Sequence, residues 1–149
     1  MEIFSDHRGE FLITNGSIYD QTFVSLSSNK FTFRGLHYQT NPSQLKTFKI
    51  VQGSVIDFIY NIETKEVKNF VLTTDSKIFT IGDQYAHGFL TLEPNTIVMY
   101  GVEGKFNPET YTSIPWHSIP EIYNTVTKIT GNAKITITDK DNHGTKGIN

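Results

Sequence analysis

Arg34-Gly35-Leu36-His37-Tyr38-Gln39 closes a run, Phe31 to Tyr38, in which apolar and polar residues roughly alternate. Alternation with period two is the pattern of a strand with one buried face, so the run predicts a strand. This strand sets a guanidinium and an imidazole among aromatic neighbours. Gln44-Leu45-Lys46 comes after it, and Ala86-His87-Gly88-Phe89 answers it about fifty residues later. Each is a polar interruption in an apolar, aromatic-rich chain, placed where alternating strands aim titratable groups inward. The chain therefore reads as a barrel built around one pocket.

On both sides of this strand, short runs separated by turn residues continue. Residues 10–15 end at Asn15-Gly16, residues 21–26 end in Ser-Ser-Asn, and Lys46 to Val51 is parted from Ser54 to Tyr60 by Gly53. Further runs span Glu66 to Leu72, Ile78 to Ile81, Gly88 to Leu92 and Thr96 to Val102, with Thr74-Asp75-Ser76, Gly82-Asp83 and Glu93-Pro94-Asn95 between them. Strands at short, even spacing predict an antiparallel sandwich, jelly roll or barrel around one core. The last third is less regular. Asn107-Pro108-Glu109-Thr110 suggests a single helical turn, Pro115, Pro120 and Gly131-Asn132 break the remaining chain into short pieces, and Lys134 to Thr138 alternates like one more strand. Beyond Asp139-Lys140-Asp141 the glycines predict a loose tail.

Composition narrows the function classes. A chain of 149 residues predicts a single domain, residues 1–149, with a sizeable core. Apolar residues make up 37% and aromatics 13%, mostly Phe and Tyr, which suit half-buried pleated surfaces. A formal charge of −2 with interspersed signs offers no basic stripe for a phosphate backbone and no polybasic membrane patch. Cysteine is absent, which rules out disulfides and thiolate metal sites. No apolar stretch reaches membrane-spanning length. The expectation is a soluble cytoplasmic protein that binds neither nucleic acid nor membrane.

Several blocks, taken in order, carry a resemblance. Asp6-His7-Arg8-Gly9-Glu10-Phe11, Arg34 to Gln39, Gln44-Leu45-Lys46, Gly53-Ser54-Val55-Ile56-Asp57, Ala86-His87-Gly88-Phe89, Tyr100 and Lys140-Asp141 together resemble the dTDP-4-dehydrorhamnose 3,5-epimerases. The resemblance implies an all-β cupin jelly-roll of antiparallel strands with little helix, a homodimer, and no metal or cofactor. It implies epimerisation at C3, C5 or both of a nucleotide-linked 4-keto-6-deoxyhexose, in deoxysugar and polysaccharide biosynthesis.

That chemistry needs a base beside a carbonyl, a stabiliser for the enolate, and an acid on the opposite face. His37 is the natural base, since imidazole titrates near neutrality and a carboxylate can orient it. By resemblance that carboxylate is Asp141, with Asp139 as the alternative. Lys46 resembles the lysine that steadies the C4 oxyanion, and Tyr100 the phenol that returns the proton. His87 and Asp57 resemble a supporting pair on the pocket wall. Arg34 matches an arginine near the diphosphate, a task suited to a bidentate guanidinium, and Arg8 one that reaches the diphosphate from the neighbouring subunit. Phe11 and Gln44 fall in the same substrate-binding blocks. Departures cluster at the nucleotide end. Phe23-Val24-Ser25-Leu26-Ser27 lacks the Gln and Asn of the family, and the loop between Gln39 and Gln44 is short, so a different pocket mouth is expected. A 3,4-ketoisomerase of related fold and a non-catalytic sugar-nucleotide binding cupin stand as alternatives. A metal-dependent cupin has only His37 and His87 to offer, with Gln39 where a second ligand of a His-x-His pair belongs.

Overall fold

The computed structural model describes residues 2–6, 9–13 and 19–146, the first two segments and residue 146 through their backbone alone. A hairpin at the start pairs β1 Glu2–Asp6 with β2 Gly9–Ile13. Two antiparallel sheets dominate the rest. The first is built from β3 Gln21–Ser27, β5 Leu45–Gln52, β8 Phe79–Ile81 and β10 Thr96–Glu103, in the order β3-β10-β5-β8. The second takes β4 Phe33–Gln39, β6 Ser54–Asn61, β7 Val67–Thr73, β9 Tyr85–Thr91, β11 Tyr111–Ser113 and β12 Thr145–Lys146. Their order is β12-β11-β4-β9-β6-β7.

Alternation sorts the side chains into two cores. Phe48, Ile50, Val55, Leu72, Ile81, Phe89 and Val98 fill the space between the sheets. Phe33, Leu36, Ile56, Phe58, Ala86 and Leu90 face the other way and meet Trp116, Ile119, Ile122 and Val126. On β6, Asp57 therefore shares the inner face with Val55, and on β9 His87 shares it with Phe89. Polar side chains of these inner faces border one cavity between the sheets.

The second core corrects the reading of the last third. An eleven-residue helix, α1 Pro120–Thr130, stands where prolines suggested short pieces. Pro120 occupies the first turn, where a missing N–H costs nothing and the fixed φ already suits a helix. Ile122, Val126 and Thr130, four apart, form its buried stripe against the outer face of the six-stranded sheet. Gly131, at φ 57°, ends it. Lys134 to Thr138 forms no strand beyond a single bridge from Thr136 to Thr32. The expected loose tail instead begins with a second helix, α2 Asp139–His143, whose first turn is capped by the Thr138 hydroxyl accepting from the Asp141 N–H at 3.3 Å. Asn107 to Thr110 makes the single turn expected, the Tyr111 N–H donating to the Asn107 carbonyl at 3.0 Å. The Asn15-Gly16 turn lies outside the described residues.

Candidate active site

The cavity between the sheets has a volume of about 410 Å³. Arg34, His37, Gln44, Lys46, His87, Tyr100 and Asp141 all line it. Asp57 lies beneath them, fully buried. Arg8 lies outside the described residues, and Phe11 is described only by its backbone in β2.

Arg34 and His37 lie on the same wall although three residues part them in β4, because the strand bulges between them. Residues three apart in a strand face opposite sides. Against β9, however, Arg34 pairs with Phe89 and His37 with His87, so three steps on β4 match two on β9. The extra residue falls at Gly35, whose φ of 107° suits glycine alone and whose absent Cβ would stand 2.5 Å from the His87 carbonyl oxygen. Its N–H donates to Asp141 Oδ2 at 3.1 Å.

The Asp141 carboxylate gathers three donors. His37 Nε2 lies 2.6 Å from Oδ1, and the Ser113 hydroxyl donates to the same oxygen at 2.9 Å. Burial pushes this carboxyl up, but the His37 hydrogen bond and charge, with the Gly35 and Ser113 donors, outweigh burial and hold it below the usual range. The ionised carboxylate fixes the proton on His37 Nε2, which leaves the lone pair on Nδ1. Burial lowers the His37 pKa below its ordinary 6.5, against the opposing pull of Asp141, so the ring is a neutral base near neutrality. Of the two candidate carboxylates, it is Asp141 that meets the imidazole.

Lys46 reaches across from β5 and donates to the His37 carbonyl at 2.9 Å. Burial lowers its pKa to about 8, against the nearby Asp57 charge. Asp57 Oδ1 meets His87 Nε2 at 2.6 Å, and Asp57 Oδ2 is a buried oxygen without a hydrogen-bond partner among the described residues. Burial raises the Asp57 pKa. Tyr100, on β10, stacks on Phe23 with centroids 5.1 Å apart. Burial pushes its phenol up, the Arg34 charge opposing, so it remains a proton donor. Arg34 donates from Nε to Ser27 Oγ at 3.0 Å and from Nη2 to the Leu26 carbonyl at 3.1 Å. Gln44 donates to the Gly104 carbonyl at 3.1 Å. Among the described residues no three His, Asp or Glu side chains converge as a metal site would need.

Tyr111, Phe106 and Ser113 were not singled out from sequence, and Lys140 was quoted only as the neighbour of Asp141. Tyr111 and Ser113 sit two apart on β11, too short a strand for alternation to register. Lys140 is adjacent to Asp141 and lies over the Tyr111 ring, Nζ 4.7 Å from the centroid.

Two facing sheets hold an imidazole–carboxylate pair, a buried ammonium and a phenol around one cavity, the arrangement of a cupin-like protein whose pocket can take up and release protons. The profile described as dTDP-4-dehydrorhamnose 3,5-epimerase matches residues 1–146, and the chain belongs to that family. It is 29% identical over 130 residues to the Methanothermobacter thermautotrophicus dTDP-4-dehydrorhamnose 3,5-epimerase, spanning 77% of this chain and 70% of that one. The Neisseria gonorrhoeae enzyme of the same name is 30% identical over 131 residues, 78% of this chain and 40% of the relative. Among solved structures, the Bacillus anthracis enzyme with TDP and PPi bound superposes with a TM-score of 0.71 at 27% identity, covering 95% of this chain and 87% of that one.

Proposed function

We propose that the chain inverts C3, C5 or both of a nucleotide-linked 4-keto-6-deoxyhexose in deoxysugar biosynthesis, and that His37, Lys46 and Tyr100 carry the reaction. The observation that carries this reading is the division of the three groups between the walls. His37 and Asp141 belong to the six-stranded side, whereas Lys46 and Tyr100 project from β5 and β10 of the facing sheet. A sugar ring between them meets a base on one face and an acid on the other, as inversion requires.

His37 Nδ1 takes the proton from a carbon beside the C4 ketone. The C–H electron pair becomes the C=C bond, and the carbonyl pair moves to oxygen, where the Lys46 ammonium holds the oxyanion. Tyr100 then gives its phenolic proton to the opposite face of the same carbon, the oxyanion reforms the ketone, and solvent exchange resets base and acid. Asp141 orients the imidazole and stabilises its charged form. Asp57 and His87 support Lys46 from below. Arg34 retains donors for a diphosphate beyond those spent on β3, and Arg8, Phe11 and Gln44 complete the substrate contacts in this reading. The protein works as a single-domain cytoplasmic homodimer, with the apolar outer face of β3 and β10 as the contact.

The test is proton NMR in D₂O with dTDP-, CDP-, GDP- and UDP-linked 4-keto-6-deoxyhexoses. The unaltered protein should wash out the signal at C3, C5 or both with one carrier. His37→Asn should slow washout by about 10²–10⁴-fold, the usual contribution of a general base, with nucleotide binding retained. Tyr100→Phe should slow inversion more than washout. Washout at the unaltered rate in His37→Asn overturns the base, and migration of the ketone to C3 would make the protein a ketoisomerase.

A further inference from the structure

Of the two tyrosines that line the cavity, Tyr111 is the one the mechanism above does not use. It stands on β11, paired with Gln39 of β4, two residues from the Ser113 that holds Asp141. Its ring packs against the base, 5.3 Å from the His37 centroid, and is backed by Phe106 at 5.3 Å and by the Lys140 ammonium. Among the described residues its hydroxyl has no hydrogen-bond partner, yet that oxygen is not sealed inside the protein, so it faces reachable space. Burial, reinforced by the Asp141 charge and Tyr100, raises its pKa well above the ordinary phenol value, which keeps it a donor. A donor of this kind, fixed by three aromatic or cationic neighbours and left unspent, is arranged for a ligand.

The two carbons beside a C4 ketone differ in what they carry. C3 bears a hydroxyl and C5 a methyl. With the ketone oxygen held by Lys46, the ring can turn either carbon toward His37, and whichever group rides on that carbon meets the base's neighbours. We infer that Tyr111 is a specificity-determining residue of this site, donating its phenolic hydrogen bond to the C3 hydroxyl and so favouring C3 over C5 at His37. The same phenol meets only a methyl group when C5 is presented, and its donor is then unmatched. Polar discrimination by an otherwise unpaired donor exceeds what a pocket achieves through shape alone. The inference rests on the epimerase reading above.

The experiment is the D₂O washout monitored separately at C3 and C5, comparing the unaltered protein with Tyr111→Phe, which keeps the ring against His37 and removes only the hydroxyl. The C3 rate should fall about tenfold, the effect of losing one neutral hydrogen bond, while the C5 rate does not fall. A 3-deoxy analogue of the keto sugar, which lacks the acceptor, should show no difference between the two proteins. On that analogue the unaltered protein alone should lose its preference for C3, a reading that needs no variant. Equal falls at both carbons, an unchanged C3 rate in the variant, or a C5 preference in the unaltered protein overturns the role of Tyr111. Washout at neither carbon by the unaltered protein, with any carrier, removes the epimerase reading and this inference with it.

Discussion

Burial is the leading cause of the altered proton affinity of both His37 and Lys46, and it makes the proposed activity sensitive to pH on both sides. The proposed reaction needs His37 neutral and Lys46 charged. Burial lowers His37 below 6.5 and Lys46 to about 8. The expected kcat/KM profile is a bell, rising through a pKa below that of free imidazole and falling as pH passes about 8, measured as initial rates on the keto sugar. Removing the Asp57 charge with Asp57→Asn should draw the alkaline limb lower still, because that carboxylate holds the proton on Lys46. Stability moves the other way. The folded chain binds the Lys46 proton less tightly than the unfolded one, so between about pH 8 and 10.5 this group makes the fold more stable as pH rises. Single residues were legible in the sequence wherever they sat inside a contiguous block, as His37, Lys46 and His87 do. Tyr111 was not legible, because its proximity to His37 arises from the pairing of strands far apart in the chain.

Among the elements, β4 depends most on a single residue. A Cβ at position 35 would lie 2.5 Å from the His87 carbonyl oxygen and 2.7 Å from Gly88 Cα, both backbone atoms that cannot turn aside. The φ of 107° adds a conformational cost of about 1–3 kcal/mol for any other residue. Gly35→Ala should therefore destabilise the protein by at least about 2 kcal/mol, read as a lower urea midpoint at unchanged slope, and should lose most activity. A midpoint equal to that of the unaltered chain would show that β4 and β9 can part without cost. The strands from β3 to β10 were readable from their turn residues and short runs; alternation survives on β10 and fades on β6, which is buried on both faces. The last third was not. Pro120 was taken for a breaker although it starts α1, and Ile122 and Val126 repeat at the helical interval that would have revealed it. Thr138 likewise announces α2 by capping it, just ahead of the glycines that suggested a loose tail.

Over the protein as a whole, the two sheets use their outer faces differently. The six-stranded sheet covers its outer face with α1 and Trp116. The four-stranded sheet leaves Val24 and Leu26 on β3 exposed at 67% and 55%, and they pair across to Met99 and Ile97. An apolar strip on an edge strand is a liability for an isolated chain and a contact for a second copy. Sedimentation should give a dimer, and Val24→Lys with Leu26→Lys should dissociate it; a monomeric unaltered protein would remove this proposal. Exposure of this kind could not be read from sequence, where Val24 and Leu26 look like core residues. The bulge at Gly35 carries a different consequence, one of chain length. A β4 shorter by that residue would pair regularly with β9, and Arg34 and His37, now two apart, would still share a wall. It would lack the amide that Gly35 gives to Asp141. The extra residue thus supplies an electrical contact rather than an alignment, and a deletion, unlike any substitution, separates the two.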